Sequence, residues 1–525
     1  MRSDHRRPSS ARRESNSRTI SLPSRGARLG RAVPLMILAA GAVVAVLAVP
    51  AFEFAPGTAA AERPAKRPNV VFFLADDHTW QAISCYGSKL GATPNIDRIA
   101  AAGVRFDRCF CTESICGPSR AAIMTGKYGH VTGAIGWAPY DRRHRTFPEY
   151  LQAAGYQTAL IGKYHLGDNP PGFDHFDILP GQGRYRDPVL VSKEGSRVCK
   201  GHVSDVITDL ALAWLDRRDP QRPFLLCLHD KATHMPWQSA ERFGALLANR
   251  VFPEPPTLLD NYAGRADVLR WTICRVSQLN RWQKSLWGEP PSGSTPEQET
   301  RWLYQQYLRH YLRTATGLDE NIGRVLDYLD RHGLTGETVV VYASDQGFLL
   351  GEHGLFDKRW MYEECLRLPL VVRYPPLARA GSVSDALVLN IDFAPTLLDL
   401  ASLAVPADMQ GRSLRPLLTA RVPADWRKSV YYRYYAKEYG IPPQCGVRTE
   451  RHKLIHYQGP IGTDFGPTGV KPGRWLDVDA WELFDLQQDP DELTDLYGRP
   501  ESQATVVALK AELERLRKEL GDTKD

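Results

Sequence analysis

The sequence predicts an α/β sandwich built on a largely parallel sheet, followed by a smaller C-terminal α+β part with a short antiparallel sheet. Strand-length runs of apolar, β-branched and aromatic residues recur at Asn69–Ala75 (NVVFFLA), Thr158–Ile161, Phe224–Leu228 and Thr338–Ala343. Unbroken runs of this kind are expected of strands covered on both faces. Helical patterns such as Pro148–Ala154 and Arg301–Leu329 lie between them, and strands alternating with helices imply a parallel sheet. Past Leu400 the pattern changes: Asp408–Leu414 closes the first unit. Ser429–Tyr435, Gly446–Arg448 and Lys453–Tyr457 then read as short antiparallel strands ahead of a terminal helix over about Ala504–Leu520.

The chain of 525 residues exceeds the size at which one hydrophobic core stops growing, so two domains are expected. Its net charge of +6 is concentrated in a leader, because residues 1–31 hold nine arginines against Asp4 and Glu14. The remainder carries 57 basic and 58 acidic residues, which removes the electrostatic case for nucleic-acid binding. After Arg31 an uncharged run from Ala32 to Pro50 leads towards Ala59-Ala60-Ala61 and reads as an export signal, with membrane anchoring through residues 32–50 as the alternative. Either places the protein outside the cytoplasm, as periplasmic, secreted or anchored on the outer side. The nine cysteines at 85, 109, 111, 116, 199, 227, 274, 365 and 445 show no paired metal-binding spacing, and export permits disulfides whose pairing is not fixed. Arg250–Glu299, rich in proline and tryptophan, reads as a long functional loop or insertion.

Each apolar run leads into polar residues: Asp76-Asp77-His78, then Lys163 and His165, then, a little later, His234, then Asp345-Gln346. Ligands of open α/β sheets bind beyond the carboxyl ends of strands, so these groups are expected to share one cleft. Cys116-Gly117-Pro118-Ser119-Arg120 joins them where a helix should begin, since proline suits the first turn and free amides there attract anions. Asp76, Asp77, Asp345 and Gln346 supply only oxygen ligands, which suits Ca2+, and less well Mg2+, rather than zinc. Capping of the following helices is the alternative role for Asp77 and Asp345.

Cys116 to Arg120, continued by Thr125-Gly126-Lys127-Tyr128, resembles the sulfatase family motif CxPxR, whose cysteine is oxidised to formylglycine after synthesis. Three further segments are similar to the same family: Gly162-Lys163-Tyr164-His165-Leu166-Gly167, Thr233-His234-Met235-Pro236, and Ser344 to Arg359, in which Gln346 replaces the commoner asparagine. Trp481–Leu486 with Asp489-Pro490 looks like the family's closing segment. The resemblance implies an alkaline-phosphatase-like fold, with residues 66–415 as catalytic domain and 416–525 as C-terminal subdomain behind the leader of residues 1–61.

The same resemblance implies the chemistry. Formylglycine at 116, hydrated to a geminal diol, attacks sulfur. His234 or Lys358 protonates the departing alcohol, Arg120, Lys163 and Lys358 offset charge, and His165 removes the remaining diol proton to expel sulfate. Lys163 and His165 are expected on one side of an extended segment, by the period-two alternation of side chains. His229 competes with His234 for its role, and His353 has none assigned. A formylglycine-generating maturation enzyme is an implied partner, and a sulfated carbohydrate, with 6-sulfated N-acetylglucosamine-type residues favoured, is the implied substrate. The rival readings are phosphomonoester or phosphonate hydrolysis on the same fold, and a non-catalytic exported glycan-binding protein. Tyr431–Tyr435 and Trp475–Trp481 are read first as domain core and second as sugar platforms.

Overall fold

The computed structural model describes residues 67–462 and 475–523. The export signal or anchor expected over residues 1–61 lies outside them. Among the described residues, no helix is long and apolar enough to cross a membrane.

The four apolar runs become the strands Asn69–Ala75, Gln157–Gly162, Phe224–His229 and Thr338–Ser344, adjacent and parallel at the centre of a ten-stranded sheet. His175–Ile178 joins this parallel core, and short strands extend it on both sides, through two antiparallel pairings on each side and one further parallel pairing at the Ser382–Ser384 edge. The unbroken apolar character of Asn69–Ala75 has a direct cause. Val70, Phe72 and Leu74 enter the core on one face of the sheet, and Val71, Phe73 and Ala75 enter the core on the other. The helices Val203–Arg217 and Pro296–Arg331 cover the second face through Ile207, Ile322 and Val325, while Phe147–Ala153 and Phe393–Leu400 cover the first through Leu151 and Leu397.

The C-terminal sheet has four antiparallel strands, Ser429–Tyr434, Gln444–Thr449, His452–Gly462 and Trp475–Asp485. The last two pair over eleven residues each, so they are longer than the sequence pattern indicates. The terminal helix Gln503–Leu520 buries Leu509, Leu513 and Leu516 against this sheet. Tyr431, Tyr432 and Tyr434 are buried, so this tyrosine cluster is core and not a sugar platform. The Arg250–Glu299 segment holds short helical turns and one eight-residue helix, Asn280–Trp287, before its last residues open the long helix Pro296–Arg331. All nine cysteines are unbridged.

Candidate active site

Parallel register brings the carboxyl ends of the central strands level, with Ala75 beside Ser344 and both Leu74 and Gly162 beside His229. The residues that follow these strands therefore meet. Asp76 and Asp77 follow the first, Lys163 the second, Lys231 and His234 the third, Asp345 and Gln346 the fourth. Carboxylate oxygens of Asp76, Asp77 and Asp345 lie within 4.8 Å of one another, as do single ligand atoms of Asp76, Cys116 and His234.

Cys116 opens the helix Cys116–Thr125, which is capped by Ile115 in extended conformation. Its Sγ lies 3.4 Å from Asp76 Oδ1 and 3.0 Å from Lys358 Nζ. The helix start is tied down by Asn390, whose Nδ2 donates to Ser119 Oγ at 2.9 Å and whose Oδ1 accepts from Thr112 N at 3.2 Å. Arg120 is fully enclosed. Its Nε donates to Asp345 Oδ2 at 2.9 Å, Nη1 donates to the Lys163 carbonyl at 2.6 Å, and Nη2 lies 3.8 Å from Asp76. Lys163 Nζ donates to Asp76 Oδ2 and to Gln182 Oε1, and Lys358 Nζ donates to Asp77 Oδ1.

Burial would raise Asp76, but Lys163, His234, Arg120 and Lys358 together hold its carboxyl well below the usual range. Burial wins at Asp77, pushed up to about 7 against the pull of Lys358, with Asp76 and Asp345 adding repulsion. Burial opposes the charge of Lys358, yet Asp77 and the neighbouring acids hold its ammonium well above the ordinary lysine range. Cys116 is pushed up to about 12, chiefly by burial and then by Asp76, against Lys163 and Lys358. A buried thiol raised this far is a poor nucleophile as it stands.

The donor set fits a hard cation. Gln346 Oε1 is a buried acceptor without a hydrogen-bond partner, beside three carboxylates, while its Nε2 donates to Asp77 Oδ1. The longer glutamine arm thus still brings its amide group to the cluster, with the nitrogen towards Asp77, and all four side chains carry an oxygen suited to such a cation.

His234 Nδ1 donates to the Met235 carbonyl at 2.8 Å, which leaves Nε2 facing Asp77 Oδ2 at 3.8 Å. Burial holds this imidazole well below its ordinary range, with Asp76 opposing and Lys163 adding. His229 is different: both ring nitrogens are buried without partners and the ring packs edge-on to Phe72 at 5.7 Å, a core position. His353 lies in a separate buried network, with Nδ1 3.1 Å from Arg265 Nη1 and its ring against Tyr362.

The expected period-two relation of Lys163 and His165 is not observed. The strand ends at Gly162, and His165 has φ 62, so the segment turns instead of running extended. The turn starts where it does because Gly162, at φ 108, lies against the His229 carbonyl, only 1.9 Å from where a Cβ would stand. His165 nevertheless faces the cluster: burial, then Lys163 and Arg120, hold its imidazole down to about 3, and its Nδ1 has no partner.

Sequence reasoning missed Gln182, which comes from a loop with no motif, and Lys231. The latter is buried three residues ahead of His234, donates to the Met235 carbonyl at 3.4 Å, and is lowered to about 8 by burial and Lys163. Its position inside the same segment as His234 is the signal that could have found it.

Residues 68–403 match the model of the sulfatase family, and residues 351–463 and 473–519 match that of the C-terminal region of N-sulphoglucosamine sulphohydrolase. The chain belongs to the sulfatase family. This sulfatase is a sulfuric ester hydrolase with an alkaline-phosphatase-like α/β fold. It is 41% identical over 504 residues to an N-acetylglucosamine-6-O-sulfatase of Bacteroides thetaiotaomicron, with 87% of each chain covered. A solved structure of a protein in complex with its substrate, D-glucosamine-2-N,6-O-disulfate, superposes with a TM-score of 0.81 at 41% identity, over 87% of this chain and 99% of that one. The phosphonate monoester hydrolase of Agrobacterium radiobacter superposes with a TM-score of 0.67 at 19% identity, over 86% and 96% of the two chains, a likeness of fold alone.

Proposed function

We propose that this sulfatase removes the 6-O-sulfate of N-acetylglucosamine-type sugars outside the cytoplasm, after a maturation enzyme has converted Cys116 to formylglycine. The observation that carries the reading is the position of Cys116 Sγ, at once 3.4 Å from Asp76 and 3.0 Å from Lys358, inside the carboxylate cluster. Likeness to an N-acetylglucosamine-6-O-sulfatase supports the substrate, and the uncharged run after the basic leader supports export or anchoring.

Asp76, Asp77, Asp345 and the Gln346 amide oxygen would hold calcium, which supplies Lewis-acid stabilisation of charge on the sulfuryl group. Formylglycine supplies a carbonyl carbon able to carry both an attacking hydroxyl and an exit route for sulfate. Around these, the chain's own residues have distinct tasks. Arg120 orients Asp345 and, with Lys163 and Lys358, lines the pocket with positive charge against the sulfuryl oxygens. Lys358 is the proton carrier for the departing alcohol, because its ammonium stays charged in the buried pocket. Neutral His234 cannot give that proton: its Nδ1–H is committed to the Met235 carbonyl and Nε2 holds the lone pair. Its Nε2 can accept a hydrogen bond from a substrate hydroxyl and so position the sugar beside Lys358. His165, held neutral, is the base that takes a proton from the hydroxyl on residue 116.

The test is a panel of sulfated monosaccharides against the purified protein, with matched phosphate esters. Release of sulfate from 6-sulfated N-acetylglucosamine in preference to other positions is the expected result. Preferred release of phosphate would overturn the reading.

A further inference from the structure

Beside His165 lies an indole that the catalytic chemistry leaves unused. Trp137 stands there with 55% of its surface exposed, its ring edge-on to His165 at 6.2 Å between centroids. The preceding carbonyl, Gly136 O, lies 3.9 Å from where a Cβ on Gly117 would stand, next to Cys116. From the opposite side comes the loop after the strand Ser429–Tyr434. Its Glu438 accepts from the indole Nε1–H through Oε1, while Oε2 has no hydrogen-bond partner and lies 3.6 Å from Arg359 Nη2. Arg359 directly follows Lys358, the residue 3.0 Å from Cys116 Sγ. An exposed indole beside His165 and the carboxylate that anchors its Nε1–H are thus held together, one contributed before the central sheet's second strand and one by the loop after the strand Ser429–Tyr434.

Large exposed aromatic faces on soluble proteins are costly to leave in water, and an indole offers an apolar platform with a polar edge. A pyranose ring has the matching chemistry, with an apolar C–H face and hydroxyl donors at its rim. We propose that Trp137, held by Glu438, forms the sugar subsite of this enzyme: the ring that bears the sulfate stacks on the indole, and Glu438, whose other carboxylate oxygen is buried beside Arg359, positions that platform. This rests on the reading of the chain as a carbohydrate sulfatase. The Trp137–Glu438 hydrogen bond fixes the platform's tilt, so the indole is set before the sugar arrives and little ordering is lost on binding.

The experiment separates ring from sulfate. N-acetylglucosamine, a ring without sulfate, and inorganic sulfate, a sulfate without a ring, are each titrated against the full protein by ligand-observed NMR and as inhibitors of sulfated-sugar turnover. Trp137→Ala should weaken N-acetylglucosamine about tenfold and raise KM for the sulfated sugar by a similar factor. Trp137→Phe should restore most of both, Glu438→Gln should fall between, and sulfate affinity should not move in any of the three. Unchanged N-acetylglucosamine affinity in Trp137→Ala, or an equal loss of sulfate affinity, overturns the subsite. A protein that binds N-acetylglucosamine through Trp137 yet turns over no sulfated sugar upholds the subsite and sinks the proposed reaction, so the two failures are distinguishable.

Discussion

Two clusters of buried charge lie in this molecule, and they differ in what surrounds them. Beneath the C-terminal sheet, Lys453 is fully buried with Nζ 3.0 Å from Glu363 and 2.8 Å from Glu492, and Arg448 pairs with Glu363 at 3.1 Å. At the strand ends, Asp76, Asp77 and Asp345 face Arg120, Lys163 and Lys358. Both clusters pair opposite charges. Only the second, among the described residues, groups three carboxylates closely enough to hold a metal ion, and it does so around a thiol and below the half-buried rings of His165 and His234. Buried pairing alone therefore does not mark a site. What marks it is charge held ready for something else, with a way in.

That contrast can be broken in several ways. Cys116→Ala should lower turnover by about 10⁴-fold or more while the melting temperature stays within about 2 °C, since a small change at one helix start removes the nucleophile and little packing. A variant that keeps activity would deny the strand-end cluster its role. Lys453→Met should show the opposite signature: a loss of about 3–5 kcal/mol in unfolding free energy, because Glu492 is left buried without its cation and Glu363 keeps only Arg448, with turnover per folded molecule unchanged. Activity lost in proportion to stability there would merge the two clusters into one functional unit.

Smaller effects sharpen the division within the site. Gln346→Leu should raise the calcium concentration needed for half-maximal activity by about tenfold to hundredfold, without altering activity at saturating calcium by more than a few fold. Equal calcium dependence in the two proteins would take Gln346 out of the ligand set.

The smallest effect concerns Glu113, three residues ahead of Cys116. It is buried, with Oε2 lacking a partner, and burial pushes its carboxyl up to about 8. In the unfolded chain a glutamate titrates near about 4.3, so the folded state holds this proton more tightly. Its contribution to stability is full below the unfolded value and is lost as pH rises through about 8. Glu113→Gln should match the native protein at acid pH and melt a few degrees higher by pH 9 or so. A pH-independent difference in melting temperature would contradict this.

The two regions also differ in how far the sequence discloses them. The central strands announce themselves because coverage on both faces demands unbroken apolar runs, and the residues at their ends follow from chain order. The outlying strands Val104–Phe106 and Ser382–Ser384 are three residues long and leave no pattern to detect. In the C-terminal sheet the strand Trp475–Asp485 went unrecognised because its alternation, LDVDAWELFD, sets single apolar residues among acidic ones. Within the site, the groups that the structure brings together at the strand ends were mostly visible in the motifs, as Asp76, Cys116, Lys163 and Lys358 were. Gln182 and Trp137 were not, since only tertiary contacts bring their loops to Lys163 and His165. The geometry of His165 was misjudged for a related reason: the turn after Gly162 is imposed by the neighbouring strand's His229 carbonyl, which no local pattern reveals.

The central claim is that residue 116 works as an aldehyde and not as a thiol. Mass spectrometry of the tryptic peptide Cys109–Arg120, taken from active protein made in its native host, tests this directly. The account predicts that residue 116 carries formylglycine in proportion to specific activity. Fully active protein with an unmodified cysteine at 116 would contradict it.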